Sequence, residues 1–515
     1  MQAGLLLLCL LVLPPASGAA EPGGCNVLQR VDIEDRELVP QAKQADLVAP
    51  YIGRCIDADL TRGLLSAISN RLIEAGYVTS RPYLEEQDVA DGVVEIRILP
   101  GRIEAIVDAE TGSSDRNLAA AFLFAGEILN LRELETGLEA LQRVESVEAS
   151  IEIRPGETVG GSIVAVDRRV SDALRIELGV NAQTDLENRL SFLLSLDNML
   201  NINDIIQLRL NDGELRETLQ SNRSRELGYS FALGGWAFEF RHSEIDYRQR
   251  LQGLGGSFLS EGEASTDMLG LGLTIARDQS YRLALALALE VEDTENFLED
   301  VRIEVSSYRT SQLRIGLRHD WYLSRGQWSN ELAYHRGLDA FGAREDDFFD
   351  DLEGGENPAR LQFEKLVVDS RLHVFLQAPG WSIDSRLYLQ YSEDILFAAD
   401  KLTLGSPYTV RGYASALSGS NAGYLRGDIV YRIGGGVAPG TSAKNIALSF
   451  GIDCGEVKCE IDNPDLCGEI YGTGLGILIR DANFSANLQW GHPLKKLAGD
   501  IGEKDRWLLD LRWSI

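Results

Sequence analysis

Tyr281-Arg282-Leu283-Ala284-Leu285-Ala286-Leu287-Ala288-Leu289-Glu290-Val291-Glu292 alternates with a period of two. Tyr281, Leu283, Leu285, Leu287, Leu289 and Val291 point one way, and Arg282, the alanines, Glu290 and Glu292 point the other, as on a β-strand with unlike faces. The pattern extends on both sides, beginning near Ala173. Leu313, Ile315 and Leu317 oppose Gln312, Arg314, Gly316 and Arg318, and Leu372, Val374 and Leu376 oppose Arg371 and His373. At the carboxyl end Trp507, Leu509, Leu511 and Trp513 alternate with Leu508, Asp510, Arg512 and Ser514.

The connections between these strands alternate in length. Asn201-Ile202-Asn203, Gly234-Gly235, Ser324-Arg325-Gly326 and Ala378-Pro379-Gly380 are short turns, whereas Leu251 to Glu263, Asp293 to Ser307, Leu338 to Glu364 and Phe397 to Asn421 read as long polar loops. Short turns on one side and long loops on the other define an outer-membrane β-barrel, and about sixteen antiparallel strands are expected over 173–515. A soluble sandwich or propeller is the competing reading. It does not need Leu, Trp and Tyr on the outer face of every strand opposite a face this charged.

Upstream, residues 25–168 carry a helical period, and the same order of elements occurs twice. Val27 to Ile33, a helix with Leu60, Leu64, Ile68 and Leu72 on one face, and Val93 to Leu99 form the first unit, 25–100. Ile103 to Val107, a helix with Leu131, Leu134, Leu138 and Leu141 on one face, Val147 to Ile153 and Ile163 to Val166 form the second, 101–168. Both are small α+β domains of order β-α-α-β-β. Leu5 to Leu13, followed by Pro14, Pro15 and small residues, reads as a signal peptide over 1–20, too short to span a membrane as a helix.

The formal net charge of −30 argues against a nucleic-acid partner. In an exported chain the cysteines are disulfide candidates. Cys25 with Cys55 would staple the first domain, and Cys459 with Cys467 would close a short ring, leaving Cys454 over. The five histidines lack metal spacing, so no metal or cofactor is expected. Gly434-Gly435-Gly436 lacks the Gly-Lys-Ser/Thr of a phosphate loop and reads as a turn. No nucleophile-base pair emerges, and no enzyme is expected.

One loop stands apart, an expected insertion over 394–421 that carries Val410-Arg411-Gly412-Tyr413. In the thirteenth strand Ile446, Leu448, Phe450 and Ile452 take the lipid side, so Gly451, Asp453 and Gly455 face the lumen. In the fourteenth, Gly472, Gly474 and Gly476 face inward. Glycines gathered on one face mark a close approach, here a bare trough in the barrel wall with Asp453 as its only inward carboxylate. Arg411 alone would ordinarily be a solvated cation. The trough, taken together with the family resemblance carried by the loop's own residues below, argues that the loop folds inward and that Arg411 pairs with Asp453 through its fork of donors.

Leu404-Gly405-Ser406-Pro407-Tyr408-Thr409-Val410-Arg411-Gly412-Tyr413 and Leu417-Ser418-Gly419-Ser420-Asn421-Ala422-Gly423-Tyr424-Leu425-Arg426 resemble the signature loop of two-partner secretion transporters, the haemolysin secretion/activation family. Ala49-Pro50-Tyr51-Ile52-Gly53-Arg54-Cys55, Ala75-Gly76-Tyr77-Val78-Thr79-Ser80-Arg81 and Asp91-Gly92-Val93 are similar to that family's first polypeptide-transport-associated (POTRA) domain. The resemblance implies two periplasmic POTRA domains and an outer-membrane pore for one large, unfolded exoprotein of haemolysin or adhesin type. That partner's amino-terminal secretion domain would be caught by the POTRA domains. Outer-membrane lipids and the barrel-assembly machinery are the other implied partners. Little chain separates the expected cleavage site from the first POTRA strand, so the family's amino-terminal pore helix is expected to be absent, and the inserted loop would then be the main obstruction. An assembly factor that inserts outer-membrane or surface proteins and a passive porin are the alternative functions.

Overall fold

The computed structural model describes residues 25–34, 38–39, 41–123, 126–184, 188–213, 220–253, 256–346, 359–433, 445–461, 464–496 and 504–515. The expected signal peptide and the Gly434-Gly435-Gly436 turn lie outside them. The chain divides into two compact units, Met1–Glu104 with Gly126–Leu131 and Pro155–Ser162, and Ala105–Ala125 with Arg132–Arg154 and Ile163–Ile515.

In the first unit Arg30–Ile33, Gln41–Val48, Ala58–Glu74, Arg81–Tyr83 and Val93–Leu99 give the expected order β-α-α-β-β. Leu60, Leu64, Ile68 and Leu72 bury the helix face seen in the sequence against Val94, Ile96 and Ile98 of the sheet. Asp57 caps that helix, accepting the Leu60 N–H at 2.7 Å and satisfying an amide the helix itself cannot. Cys25 and Cys55 are disulfide-bonded.

The second repeat runs Arg102–Asp108, Arg116–Ala121, Leu131–Gln142, Val147–Pro155 and Gly161–Val170. Its long helix buries Leu134, Gly137, Ala140 and Leu141, a face rotated from the leucine stripe read in the sequence. The reason is Gly137, where a side chain would overlap the Phe122 ring, so the closest packing runs through a residue with no hydrophobicity to signal it.

Sixteen antiparallel strands close into a barrel: Leu174–Gln183, Arg189–Asp197, Ile205–Asp212, Gln220–Leu233, Trp236–Gly253, Gly256–Arg277, Tyr281–Leu298, Tyr308–Leu323, Gly326–Gly337, Glu364–Phe375, Trp381–Ser392, Ala422–Ile433, Asn445–Val457, Gly468–Asp481, Phe484–Pro493 and Arg506–Ser514. The sixteenth pairs with the first from Leu508↔Gln183 to Ser514↔Glu177, leaving no open edge. Val301–Arg302 only folds back on the tip of the seventh strand. Large apolar side chains such as Phe240, Leu269, Leu332, Leu389 and Leu475 are exposed on the outer wall, where lipid is their solvent.

Two stretches read as loops are strand. The fifth and sixth strands stay paired up to Gly253↔Gly256, and the seventh runs to Leu298, so most of Leu251 to Glu263 and the start of Asp293 to Ser307 are ladder. The outward positions there are charged, as in the Arg248–Glu261 pair, so the apolar alternation stops while the hydrogen-bonded ladder continues.

The second repeat meets the short-turn end of the barrel. Ser146 N–H donates to Asp197 at 2.9 Å, Asn203 N–H to Asn117 at 3.2 Å, and Glu139 accepts from Arg277 at 2.5 Å and Arg282 at 3.1 Å. The loop bearing Arg411 leaves the opposite end, between the eleventh and twelfth strands.

Candidate functional site

Strand register builds the site before the loop arrives. Across the twelfth to fifteenth strands, Asp428, Gly451, Gly474 and Gly491 stand in one row. Beside it, Arg426, Asp453 and Gly472 stand in another. Residues with no side chain thus adjoin carboxylates on the same inner face, and a protruding group can descend to the wall.

Arg411 occupies that space. Its Nε donates to Asp453 Oδ2 at 2.6 Å, its Nη2 to Asp453 Oδ1 at 2.6 Å, and its backbone N–H to Asp453 Oδ2 at 3.1 Å. The paired contact from the guanidinium is the bidentate geometry for which Arg is suited and Lys is not. Arg411 is 3 % exposed and Asp453 0 %. A charge so deeply withdrawn from water is tolerated only when fully paired.

The trough holds a second carboxylate, contrary to the expectation that Asp453 stands alone. Arg411 Nη1 donates to Asp428 Oδ1 at 2.6 Å, and Arg426 Nε reaches Asp428 Oδ2 at 3.1 Å. Arg426 also binds the Pro407 carbonyl. Two guanidinium groups and two carboxylates make a neutral cluster, so burial strands no net charge.

The glycines explain how the loop fits. A side-chain carbon on Gly451 would overlap the Arg411 guanidinium, and one on Gly472 would strike the Arg411 main chain. On Gly474 it would stand 2.7 Å from Arg411 Cδ, and on Gly455 2.9 Å from Val410 Cγ2. Gly491, which the sequence reading omitted, would place it 2.9 Å from Arg411 Cβ. Gly476 faces Ser449 and Gln489 instead, and takes no part in seating the loop.

The loop residues divide the work. Gly412 has φ +89°, and its Cα abuts the backbone of His492 and Pro493, so both conformation and space call for glycine. Tyr413 is fully buried with Val410, Ala416, Leu404 and Ile470. Its hydroxyl lies 2.9 Å from the Tyr471 carbonyl and 2.6 Å from the Lys495 carbonyl, either of which takes its proton, and it accepts the Lys495 N–H at 3.3 Å. Above the loop Cys459 and Cys467 are bonded, and Glu460 between them accepts from Asn421 at 2.8 Å and from Ser420 N–H at 3.3 Å. Cys454 is a free thiol. Among the described residues no group of side chains could hold a metal ion.

Asp428 and Gly491 were missed for one reason. Asp428 alternates with Ile429 in the sequence, which fixes its face, but its place beside Gly451 depends on the register between strands. Gly491 is an isolated glycine whose neighbour Gly474 is set the same way.

A closed barrel behind two POTRA-type repeats, with an arginine-bearing loop buried against its inner wall, defines a POTRA-barrel transporter of the outer membrane. Residues 160–479 match the family described as haemolysin secretion/activation protein ShlB/FhaC/HecB, residues 27–101 match the ShlB-type POTRA domain, and residues 102–155 match a POTRA domain. The chain belongs to the haemolysin secretion/activation family, the outer-membrane transporters of two-partner secretion. It is 27% identical over 485 residues to the outer membrane transporter CdiB of Escherichia coli O6:K15:H31, covering 93% of this chain and 81% of that one. It is 25% identical over 517 residues to the hemolysin transporter protein HpmB of Proteus mirabilis, covering 97% and 88%. The fold is similar to the solved structure of CdiB from Escherichia coli, with a TM-score of 0.86 and 24% identity over 98% of this chain and 93% of that one. The protein is therefore a transporter of secreted proteins, not an enzyme, with its barrel in the outer membrane and its POTRA domains in the periplasm.

Proposed function

We propose that this protein exports one large, unfolded exoprotein, of haemolysin or adhesin type, whose amino-terminal secretion domain is caught by the POTRA domains. The 394–421 segment obstructs the lumen at rest and is withdrawn during transport. The observation that carries this reading is the seat of Arg411. A loop cation buried against Asp453 and Asp428 lies on the inner wall of the barrel, where an exported chain must pass.

Capture has a physical route in the periplasmic sheets. Both are three-stranded, with Arg30–Ile33 and Arg81–Tyr83 at the edges of the first and Arg102–Asp108 and Val147–Pro155 at the edges of the second. An extended segment added to such an edge is held by main-chain hydrogen bonds that tolerate varied sequence, which suits recognition of an unfolded chain. The direction of export needs no nucleotide, since folding of the emerged chain outside biases its movement. That the relatives include a hemolysin transporter supports the substrate class.

The test is secretion of the cognate exoprotein, sought first as a large β-helical product of the neighbouring gene. Deleting residues 25–168 is expected to abolish export while the barrel still reaches the membrane. Arg411→Ala is expected to lower it. Intact export by the deletion variant would refute capture by these domains.

A further inference from the structure

The loop that carries Arg411 is gripped a second time, at its root and from another part of the wall. Lys365 lies near the loop end of the tenth strand, 8 % exposed, and faces the lumen opposite the outward Leu366. Its ammonium donates to Asp400 Oδ1 at 2.8 Å and to the Asp400 carbonyl at 3.2 Å, and sits 5.0 Å from the centre of the Phe363 ring. Gln390, on the eleventh strand, donates to the same carbonyl at 3.0 Å and to the Ser420 carbonyl at 3.2 Å. Ser420 in turn takes the Leu396 N–H on its hydroxyl at 3.0 Å. The outgoing and returning limbs of the loop are therefore tied together where they leave the wall, and Lys365 and Asp400 are the charged members of the knot.

This arrangement differs from a surface ion pair in three respects. Both partners are largely withdrawn from water, the cation binds main chain as well as carboxylate, and a neutral bridge spans the two limbs at the same point. A buried pair adds little net stability compared with apolar side chains of the same shape, whereas removing one partner leaves the other charge stranded. Its distinctive contribution is to geometry, because the Lys365 ammonium is satisfied only when Asp400 is in this place.

We propose that Lys365 is a positioning residue for the inserted loop, holding Asp400 so that the limb from Lys401 onward enters the lumen toward Asp428 and Asp453. Lys365 does not touch Arg411 or its carboxylates and acts through the root of the loop alone. This role rests on the reading of the loop as the resting obstruction.

Lys365→Met, Asp400→Asn and the exchanged pair Lys365→Asp with Asp400→Lys, all in the full-length protein, separate placement from simple loss of packing. Arg411→Ala serves as the reference, and heat-modifiable migration confirms an assembled barrel. Protease cleavage within 396–417 reads the position of the loop directly. Each single variant is expected to raise it about tenfold, and the exchanged pair to return it to within about twofold of the parent. Unchanged cleavage in both single variants, or an exchanged pair cleaved as fast as they are, overturns the role of Lys365. Channel opening in planar bilayers tests the underlying reading separately. Arg411→Ala that leaves the pore closed counts against the loop as obstruction, whereas an open Arg411→Ala pore with a closed Lys365→Met pore counts against Lys365 alone.

Discussion

Gly472 lies directly beneath Arg411, with no room for a side-chain carbon between its Cα and the Arg411 main chain. An obstructing side chain can rotate away, but an obstructing backbone moves only with its loop. Gly472→Ala is therefore expected to lift the loop from the wall at a cost of about 1–3 kcal/mol, the usual penalty for overpacking. Bilayer conductance should show more frequent open events. Gly427→Ala is the control, since its new carbon would meet only the Ile452 carbonyl at 3.7 Å, and it should behave like the parent.

Asp453 and Asp428 should not be equivalent. Asp453 accepts three hydrogen bonds from Arg411 and is fully buried, whereas Asp428 takes one and is shared with Arg426. Asp453→Asn is expected to weaken the seated loop by about 3–5 kcal/mol, as for other broken buried pairs. Asp428→Asn should cost less, about 1.5–3 kcal/mol, because it weakens a single charge-assisted hydrogen bond from Arg411. Secretion and conductance measured on both variants and on the double variant will order them, and equal effects would contradict the division of labour drawn from the geometry.

Tyr413→Phe keeps the ring in its pocket and deletes a hydroxyl that links the loop to Tyr471 and Lys495. The buried groups left without a partner cost about 1–3 kcal/mol. Hydrogen exchange of residues 404–417 should quicken by about fivefold or more, since 1 kcal/mol corresponds to roughly that factor. No change in exchange would mean that water replaces the hydroxyl.

In the second repeat, hydrogen bonds from the Thr111 amide and the Arg168 guanidinium hold the Asp108 carboxyl below the usual carboxylate range. Asp115 shares the same guanidinium at 2.6 Å. A depressed folded-state pKa stabilises above the unfolded value, near about 4, and that contribution is lost as pH falls through the lowered folded value. Acid is thus expected to loosen residues 105–123 below about pH 4 in the parent, and less so in Arg168→Met, which lacks the interaction. Hydrogen exchange along a pH series on the full-length protein is the measurement.

Much of the architecture is legible in the order of residues because it depends on local periods. Alternation such as that of Tyr281 to Glu292 places one face in lipid and the other in water, and the helix face of Leu60, Leu64, Ile68 and Leu72 is read in the same way. The order of elements in both repeats, the count of barrel strands and the inward face of Gly451, Asp453 and Gly472 follow from such patterns. Local reading fails where the pattern loses its contrast. Leu251 to Glu263 is strand with charged outward residues, and Gly137 marks a packing contact with no side chain to show it.

By itself the sequence determined the class of barrel, the loop that leaves it between the eleventh and twelfth strands, and the side of each strand on which a residue stands. Only the tertiary structure decided which of those residues are neighbours around the wall. Register places Asp428 beside Gly451 and Gly491 beside Gly474, gives Arg411 a second carboxylate, and leaves Gly476 out. Folding of the loop brings Asp400 to Lys365. The physical reason is that a side chain's face repeats every two residues along its own strand, whereas its lateral partners depend on how far adjacent strands are staggered when the sheet closes on itself.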